Sequence, residues 1–271
     1  MCEMTEKIKL YGFNNLTKTL SFNIYDVCYA KTEREKEDYI KYIDEQYNSE
    51  RLTKILCDVT DIIGAHVLNI SRQDYEPQGA SVNILITEEA LPVINVDPSC
   101  NKGELFYADL RDSIVGHLDK SHLTVHTYPE FHPNNDIISF RVDIDVSTCG
   151  KISPLNALDY LINSFDSDVI TMDYRVRGFT RDIDGCKCYL DHDIKSIQDF
   201  IDRGILKRYD AMDTNMYKAN IFHTKMMVRD VNLNNYLFNA DPYELSPEER
   251  RDIRDRLTKE MIEIYEGVNI Y

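Results

Sequence analysis

The sequence has no tryptophan, few basic residues and no long apolar run. Each shortage narrows the reading. No stretch of about 18 or more apolar residues occurs, so no membrane-spanning segment is expected. The start, Met1-Cys2-Glu3-Met4-Thr5-Glu6-Lys7, lacks a basic region followed by an apolar run. No secretory signal is therefore read there, and the expected location is cytoplasmic. Lys and Arg number 31 against 47 Asp and Glu, a formal net charge of -16. A phosphate backbone would be repelled unless the cations cluster, which argues against nucleic acid as a partner; an acidic protein suits a cationic small molecule. With no tryptophan, stacking on a planar ligand falls to one or two of the 18 tyrosines.

Recognisable catalytic signatures are also missing. The chain has no Gly-rich phosphate loop, no dinucleotide fingerprint, no His-Glu-x-x-His and no G-x-S-x-G elbow. Low-complexity tracts, heptads and short repeats are absent as well. The seven cysteines, Cys2, Cys28, Cys57, Cys100, Cys149, Cys186 and Cys188, are odd in number and irregularly spaced. They read as free thiols of a reducing compartment.

What is present is a core-sized chain: 271 residues, 43% hydrophobic, enough for one large domain or two closely packed halves. Residues 8 to 30 read as two strands around a turn at Gly12-Phe13-Asn14-Asn15. Thr32-x-x-Glu35 is a capping box opening a helix with Tyr39, Ile40, Ile43 and Tyr47 at helical spacing. A second helix follows Ser49, its buried stripe Leu52, Ile55, Leu56, Val59 and Ile63, stopped by Gly64. Alternation marks strands at 66–70 and 81–86 around a loop at 72–79, and further strands at 123–128 and 137–146. Residues 88 to 116 are weakly patterned. Ser153-Pro154 reads as the cap of a helix through Tyr160 and Ile162, and residues 168–179 as a strand. Ser246-Pro247-Glu248-Glu249 caps a C-terminal helix with Ile253, Leu257, Met261 and Ile264 on one face and Gly267 at its end. Strand pairs followed by helices, without a βαβ rhythm, predict an α+β fold: a two-layer α/β sandwich with a largely antiparallel sheet and a C-terminal helix.

Three residues are chemically suggestive: Ser121 after Lys120, His126 five residues on, and Cys149 in Val146-Ser147-Thr148-Cys149-Gly150, where a strand runs into a glycine turn. Each has an ordinary alternative: a turn serine, a hydrogen-bonded strand histidine, a buried small hydrophobe. Cys186-x-Cys188 with His192 resembles a fragment of a metal site, but no fourth ligand stands at suitable spacing, and no metal ligands are assigned.

Long motifs carry a resemblance. They are Leu10-Tyr11-Gly12-Phe13-Asn14-Asn15-Leu16-Thr17-Lys18, the run from Arg72 through Tyr75 to Ser81, His117-Leu118-Asp119-Lys120-Ser121-His122, and Val125-His126-Thr127-Tyr128-Pro129-Glu130. Val146 to Gly150, Asp173 to Asp182 and Ile221 to Met227 continue the series. The chain resembles the bacterial pyruvoyl-dependent S-adenosylmethionine decarboxylases of the longer, enterobacterial-type class, nearly end to end. Residues from about 91 to 111 and those around Cys186 and Cys188 match poorly, and nothing is carried over there.

The resemblance implies one domain over residues 1–271, self-cleaved at Lys120-Ser121 into a β chain 1–120 and an α chain 121–271. Ser121 would become a covalent pyruvoyl group, which forms a Schiff base with S-adenosylmethionine and takes up the electrons released with carbon dioxide. Decarboxylated S-adenosylmethionine then serves as aminopropyl donor for spermidine. His126 would be the proton acceptor in processing and Cys149 the proton donor in catalysis. Glu130 is a candidate for the substrate's ribose hydroxyls; Ser113, not part of the resemblance, is read from its place eight residues before Ser121 as a candidate helping hydroxyl in processing. The implied partners are the substrate and further αβ pairs, as (αβ)2 or (αβ)4; the longer class is associated with magnesium activation.

Reach adds a constraint. In an extended strand, five residues at roughly 3.3 Å each put His126 about 16 Å from Ser121 and on the opposite face. Either the strand breaks after Ser121, or His126 serves the Ser121 of another copy, which is the reading favoured. Two alternatives stay open: a pyruvoyl enzyme acting on arginine or ornithine, and an unprocessed homologue that activates a partner decarboxylase without catalysing anything.

Overall fold

The computed structural model describes residues 15–88, 121–165 and 167–270. Its centre is one eight-stranded sheet in which every pairing is antiparallel. The strands are β1 (Thr17–Tyr29), β2 (His66–Asp74), β3 (Ala80–Thr87), β4 (Ser121–Phe131), β5 (Ile137–Thr148), β6 (Val169–Arg177), β9 (Tyr209–Asp213) and β10 (Ile221–Val228), in the order β2-β3-β4-β5-β1-β6-β10-β9. A two-residue hairpin of β7 (Thr180–Arg181) and β8 (Lys187–Cys188) stands apart.

One face of the sheet is apolar by strict alternation. Leu20, Phe22 and Ile24 of β1, Leu123 and Val125 of β4, and Val142, Ile144 and Val146 of β5 are all 0–1% exposed. Each such side chain contributes about 1.5–3 kcal/mol by leaving water. Helices α1 (Glu33–Gln46), α2 (Ser49–Ile62) and α3 (Leu158–Ser164) share this core through Tyr39, Ile40, Ile43, Leu52, Leu56, Val59, Leu158 and Leu161. The predicted capping box is formed: Glu35 N–H donates to Thr32 Oγ1, and Thr32 N–H donates to Glu35 Oε2. At the start of α2, Asn48 caps Arg51 N–H, and Asp74 accepts from both Ser49 N–H and Ser49 Oγ, tying the helix to the end of β2. A carboxylate there also meets the positive end of the helix dipole.

Among the described residues, the opposite face is covered at one end only. A short α4 (Arg203–Leu206) precedes β9, and the C-terminal helix α5 (Pro247–Glu266) lays Ile253, Leu257 and Met261 against Val27, Ile137 and Val169. Its expected cap, Ser246 with Glu249, and its terminal Gly267 at φ 70° are both present. So the two-layer sandwich carries a third layer where the C-terminal helix crosses it. Among the described residues, no helix is long and apolar enough to cross a membrane.

Three local expectations change. Arg72, Gln73 and Asp74, read as loop, belong to β2, and the turn is confined to residues 75–79. Strand β4 begins at Ser121 rather than Leu123. Ser153 makes no side-chain cap, and Pro154 opens a 3-10 turn (Pro154–Ala157) that leads into α3. Residues 12–14 of the predicted turn and most of the weakly patterned stretch lie outside the described residues.

Candidate active site

Ser121 is the first residue of β4, and Cys149 follows the last residue of β5. The two strands pair with His122 opposite Ser147, so the start of one meets the end of the other. Ser121 points to the core face and is 6% exposed. Its Oγ lies 3.5 Å from Cys149 Sγ and accepts a hydrogen bond from Cys149 N–H at 3.2 Å. A hydroxyl oxygen held by a backbone donor beside a free thiol is a compact reactive pair.

The turn after Cys149 is tightly built. Gly150 has φ +75°, and a Cβ on it would meet a Glu88 carboxylate oxygen at 1.9 Å. The positive φ favours glycine, and any Cβ there would push the Glu88 side chain aside. Both oxygens of Glu88 accept from Lys151 N–H, at 3.0 and 3.2 Å. The carbonyl of Ile152 accepts from Thr148 Oγ1 at 3.3 Å.

His126 is elsewhere. Along β4, residues 121, 123 and 125 are buried, while 122, 124 and 126 alternate to the open face. The strand is unbroken from Ser121 to His126, so within one chain the imidazole lies on the face opposite Ser121. There Tyr75 OH lies 3.2 Å from His126 Nδ1, and the Tyr128 ring stacks beside it at 6.3 Å. Which of the two groups donates in this contact is set by the imidazole tautomer.

The rest of this face is polar and hydrogen-bonded within itself. Asp143, opposite His126, accepts from Asn23 Nδ2 at 2.5 Å and Arg141 Nε at 2.7 Å. Asp145 accepts from Ser21 Oγ. Arg141 lies over the Tyr128 ring at 5.3 Å. Burial and then the Asp143 carboxylate push the Tyr128 phenol up from its ordinary value.

Glu130 stands on the His126 side of β4, exposed, accepting from Ser139 Oγ at 2.7 Å. Within one chain it does not share the Ser121 pocket. Lys120 and Ser113 lie outside the described residues. Cys186 is exposed and Cys188 half-buried. His192 uses both ring nitrogens, Nε2 on Gly178 O at 3.0 Å and Nδ1 on Asn220 Nδ2 at 2.9 Å. Among the described residues no group of three or more His, Cys, Asp or Glu side chains could hold a metal ion.

Sequence reasoning missed three contributors. Tyr75 sat inside a quoted motif without a role. Glu88 fell in a stretch read as unpatterned. Lys18 gave a detectable signal: on β1 it occupies the buried parity of Leu16, Leu20 and Phe22, where alternation calls for an apolar residue.

Comparison with known proteins agrees with the motifs. A family model described as S-adenosylmethionine decarboxylase matches residues 38–178. An S-adenosylmethionine decarboxylase proenzyme of Clostridium perfringens strain SM101 is 84% identical over 271 residues, 100% of both chains. Those of Alkaliphilus oremlandii and Hahella chejuensis are 71% identical over 271 residues, again 100% of both chains, and 60% identical over 267 residues, 98% of this chain and 99% of that one. A crystal structure of the adenosylmethionine decarboxylase from Aquifex aeolicus covers 61% of this chain and 93% of its own, at 16% identity and a TM-score of 0.33, a likeness too slight to argue from. Matched by that family model over residues 38–178 and similar from end to end to several of these proenzymes, the chain belongs to the S-adenosylmethionine decarboxylase family.

Proposed function

We propose that this chain is a proenzyme that cuts its own backbone at Lys120-Ser121 and then decarboxylates S-adenosylmethionine, yielding carbon dioxide and the aminopropyl donor for spermidine. The observation that carries the reading is the 3.5 Å approach of Ser121 Oγ to Cys149 Sγ in a nearly buried pocket.

In maturation the Ser121 hydroxyl attacks the Lys120 carbonyl carbon, and the C–N bond gives way to an ester. Cys149 N–H holds the attacking oxygen in place. A base takes the Ser121 α-proton, the Cβ–Oγ bond breaks, and Lys120 leaves as a carboxylate. The dehydroalanine left behind rearranges and exchanges its nitrogen for a water oxygen, releasing ammonia. Residues 1–120 become the β chain, and residues 121–271 the α chain with a pyruvoyl cap.

The pocket fits such a group, since it is made from Ser121 in place with a thiol already beside it. When formed, the pyruvoyl supplies a ketone for the substrate amine and a carbonyl that accepts the electrons of the breaking C–C bond. Cys149 Sγ then donates a proton to the substrate α-carbon.

His126 serves as proton acceptor in maturation from a second copy of the chain. The support is parity: an unbroken β4 turns its imidazole away from its own Ser121. Glu130 and the substrate's hydroxyls would meet across the same contact, and αβ pairs assemble with themselves. Ser113 assists processing in this reading.

Mass spectrometry under denaturing conditions tests the proposal. Two fragments divided at Lys120-Ser121, the larger one capped, are expected, with carbon dioxide released from S-adenosylmethionine and not from arginine or ornithine. One intact chain, or release from either of the other substrates, contradicts it.

A further inference from the structure

The loop that carries Cys149 is held by two charges, and both come from the part of the chain that precedes Ser121. Lys18 is fully buried, 0% exposed, at a position of β1 where its neighbours are apolar. Its ammonium has three protons to place, and its three oxygen partners are close: Ile152 O at 3.1 Å, Lys151 O at 3.5 Å and Asp191 Oδ2 at 3.0 Å. Two of the three are consecutive carbonyls of the Cys149 turn. Asp191 is fixed in turn by Tyr174 OH at 2.8 Å, a buried phenol that burial and then Asp191 push well above its ordinary value, so it remains a donor.

From the other side, the Glu88 carboxylate presses on Gly150 and takes Lys151 N–H in both its oxygens. The peptide units around Lys151 are therefore gripped at their N–H by an anion and at their carbonyls by a cation. Such charge-assisted bonds are shorter and stronger than neutral ones. A buried ammonium is costly to keep, and an apolar side chain of similar volume fills such a site at lower cost. That cost is offset here by the Asp191 carboxylate together with two carbonyls of one turn.

We propose that Lys18 and Glu88 are positioning residues that set the Cys149 turn, and with it the placement of Cys149 Sγ and N–H against residue 121. The proposal rests on the reading of Ser121 and Cys149 given above. On that reading the β chain supplies neither reactive atom, yet it fixes the distance between the two that the α chain supplies. The clamp survives backbone cleavage, because it crosses from residues 18 and 88 to residues 150–152.

Three variants test it: Lys18→Met, Glu88→Ala and Glu88→Gln, the last retaining an oxygen for Lys151 N–H. In the uncut Ser121→Ala background, alkylation of Cys149 by iodoacetamide is followed by peptide mass mapping. Release of the turn raises its rate several-fold in Lys18→Met and Glu88→Ala, while Glu88→Gln stays near the parent. With Ser121 intact, self-cleavage slows by roughly tenfold in the first two variants, as misplacing a reacting group by a fraction of an ångström does. In whatever matures, kcat falls with KM within about twofold, because a transition-state contact is lost rather than uniform binding. Parental alkylation and cleavage rates in both Lys18→Met and Glu88→Ala overturn the clamp. If Lys18→Met does not fold, Glu88→Ala against Glu88→Gln decides alone. If the unaltered chain fails to cut itself, the functional reading falls, while the alkylation arm still decides the clamp.

Discussion

The two faces of strand β4 have opposite characters. Residues 121, 123, 125, 127 and 129 point into the core, whereas 122, 124, 126, 128 and 130 face the open side, half-buried or exposed. The core face holds Ser121 against Cys149 under helices. The open face holds His126 in a lattice of Tyr75, Tyr128, Arg141, Asp143 and Asn23 that satisfies its own charges. A period of two forces this division: side chains an odd number of residues apart cannot share a face of an unbroken strand. The proposed bond-breaking pair and the proposed proton acceptor therefore belong to different surfaces of the same molecule. Chemistry that needs both needs two copies.

Substitutions that break the comparison should rank by how directly each touches the reacting atoms. Ser121→Ala is expected to have the largest effect: no fragments by mass spectrometry and no carbon dioxide release. Cys149→Ala comes next and separates two roles. The backbone N–H that holds Ser121 Oγ survives the substitution, so two fragments still form, while kcat for carbon dioxide release falls by about 10²–10⁴ with the loss of a positioned proton donor. His126→Ala should leave the Ser121–Cys149 pocket intact and slow fragment formation by about 10² or more in a time course. Tyr75→Phe should have the smallest effect, a slowing of cleavage by a factor of about 2–10, the worth of one net hydrogen bond. An effect of Tyr75→Phe as large as that of His126→Ala would mean that the phenol does more than orient the ring.

Much of this arrangement could be read before any coordinates. The α1 capping box, the α2 stripe and the C-terminal helix from Ser246 to Gly267 follow from side chains that act within one turn of their own backbone. The face on which His126 lies follows from counting residues. Where local information ends, so did the reading. Strand β2 is an edge strand whose alternation fades after residue 70: residues 71–74 are all exposed, so nothing in their pattern marks the strand's second half; polar edges of this kind also guard against unwanted pairing. The pairing of β10 with β6 and β9 depends on partners far along the chain, as in Phe222 opposite Tyr174 and Thr224 opposite Asp213, and no spacing rule reaches that far. Glu88 and Lys18 meet at the Cys149 turn from positions more than 60 and 130 residues distant. Lys18 alone left a trace, a cation where the pattern asked for an apolar residue. Its meaning depended on the carbonyls that wait for it.

The division between faces is tested most directly by mixing two chains that fail separately. Ser121→Ala retains His126 but has no serine to cut at; His126→Ala retains the serine but lacks the acceptor. Co-expressed and assayed for fragments by mass spectrometry, the pair is predicted to restore cleavage in the His126→Ala chains, because the Ser121→Ala chain supplies the imidazole they lack. Cleavage no faster than in His126→Ala alone would contradict the account and return the imidazole to its own serine.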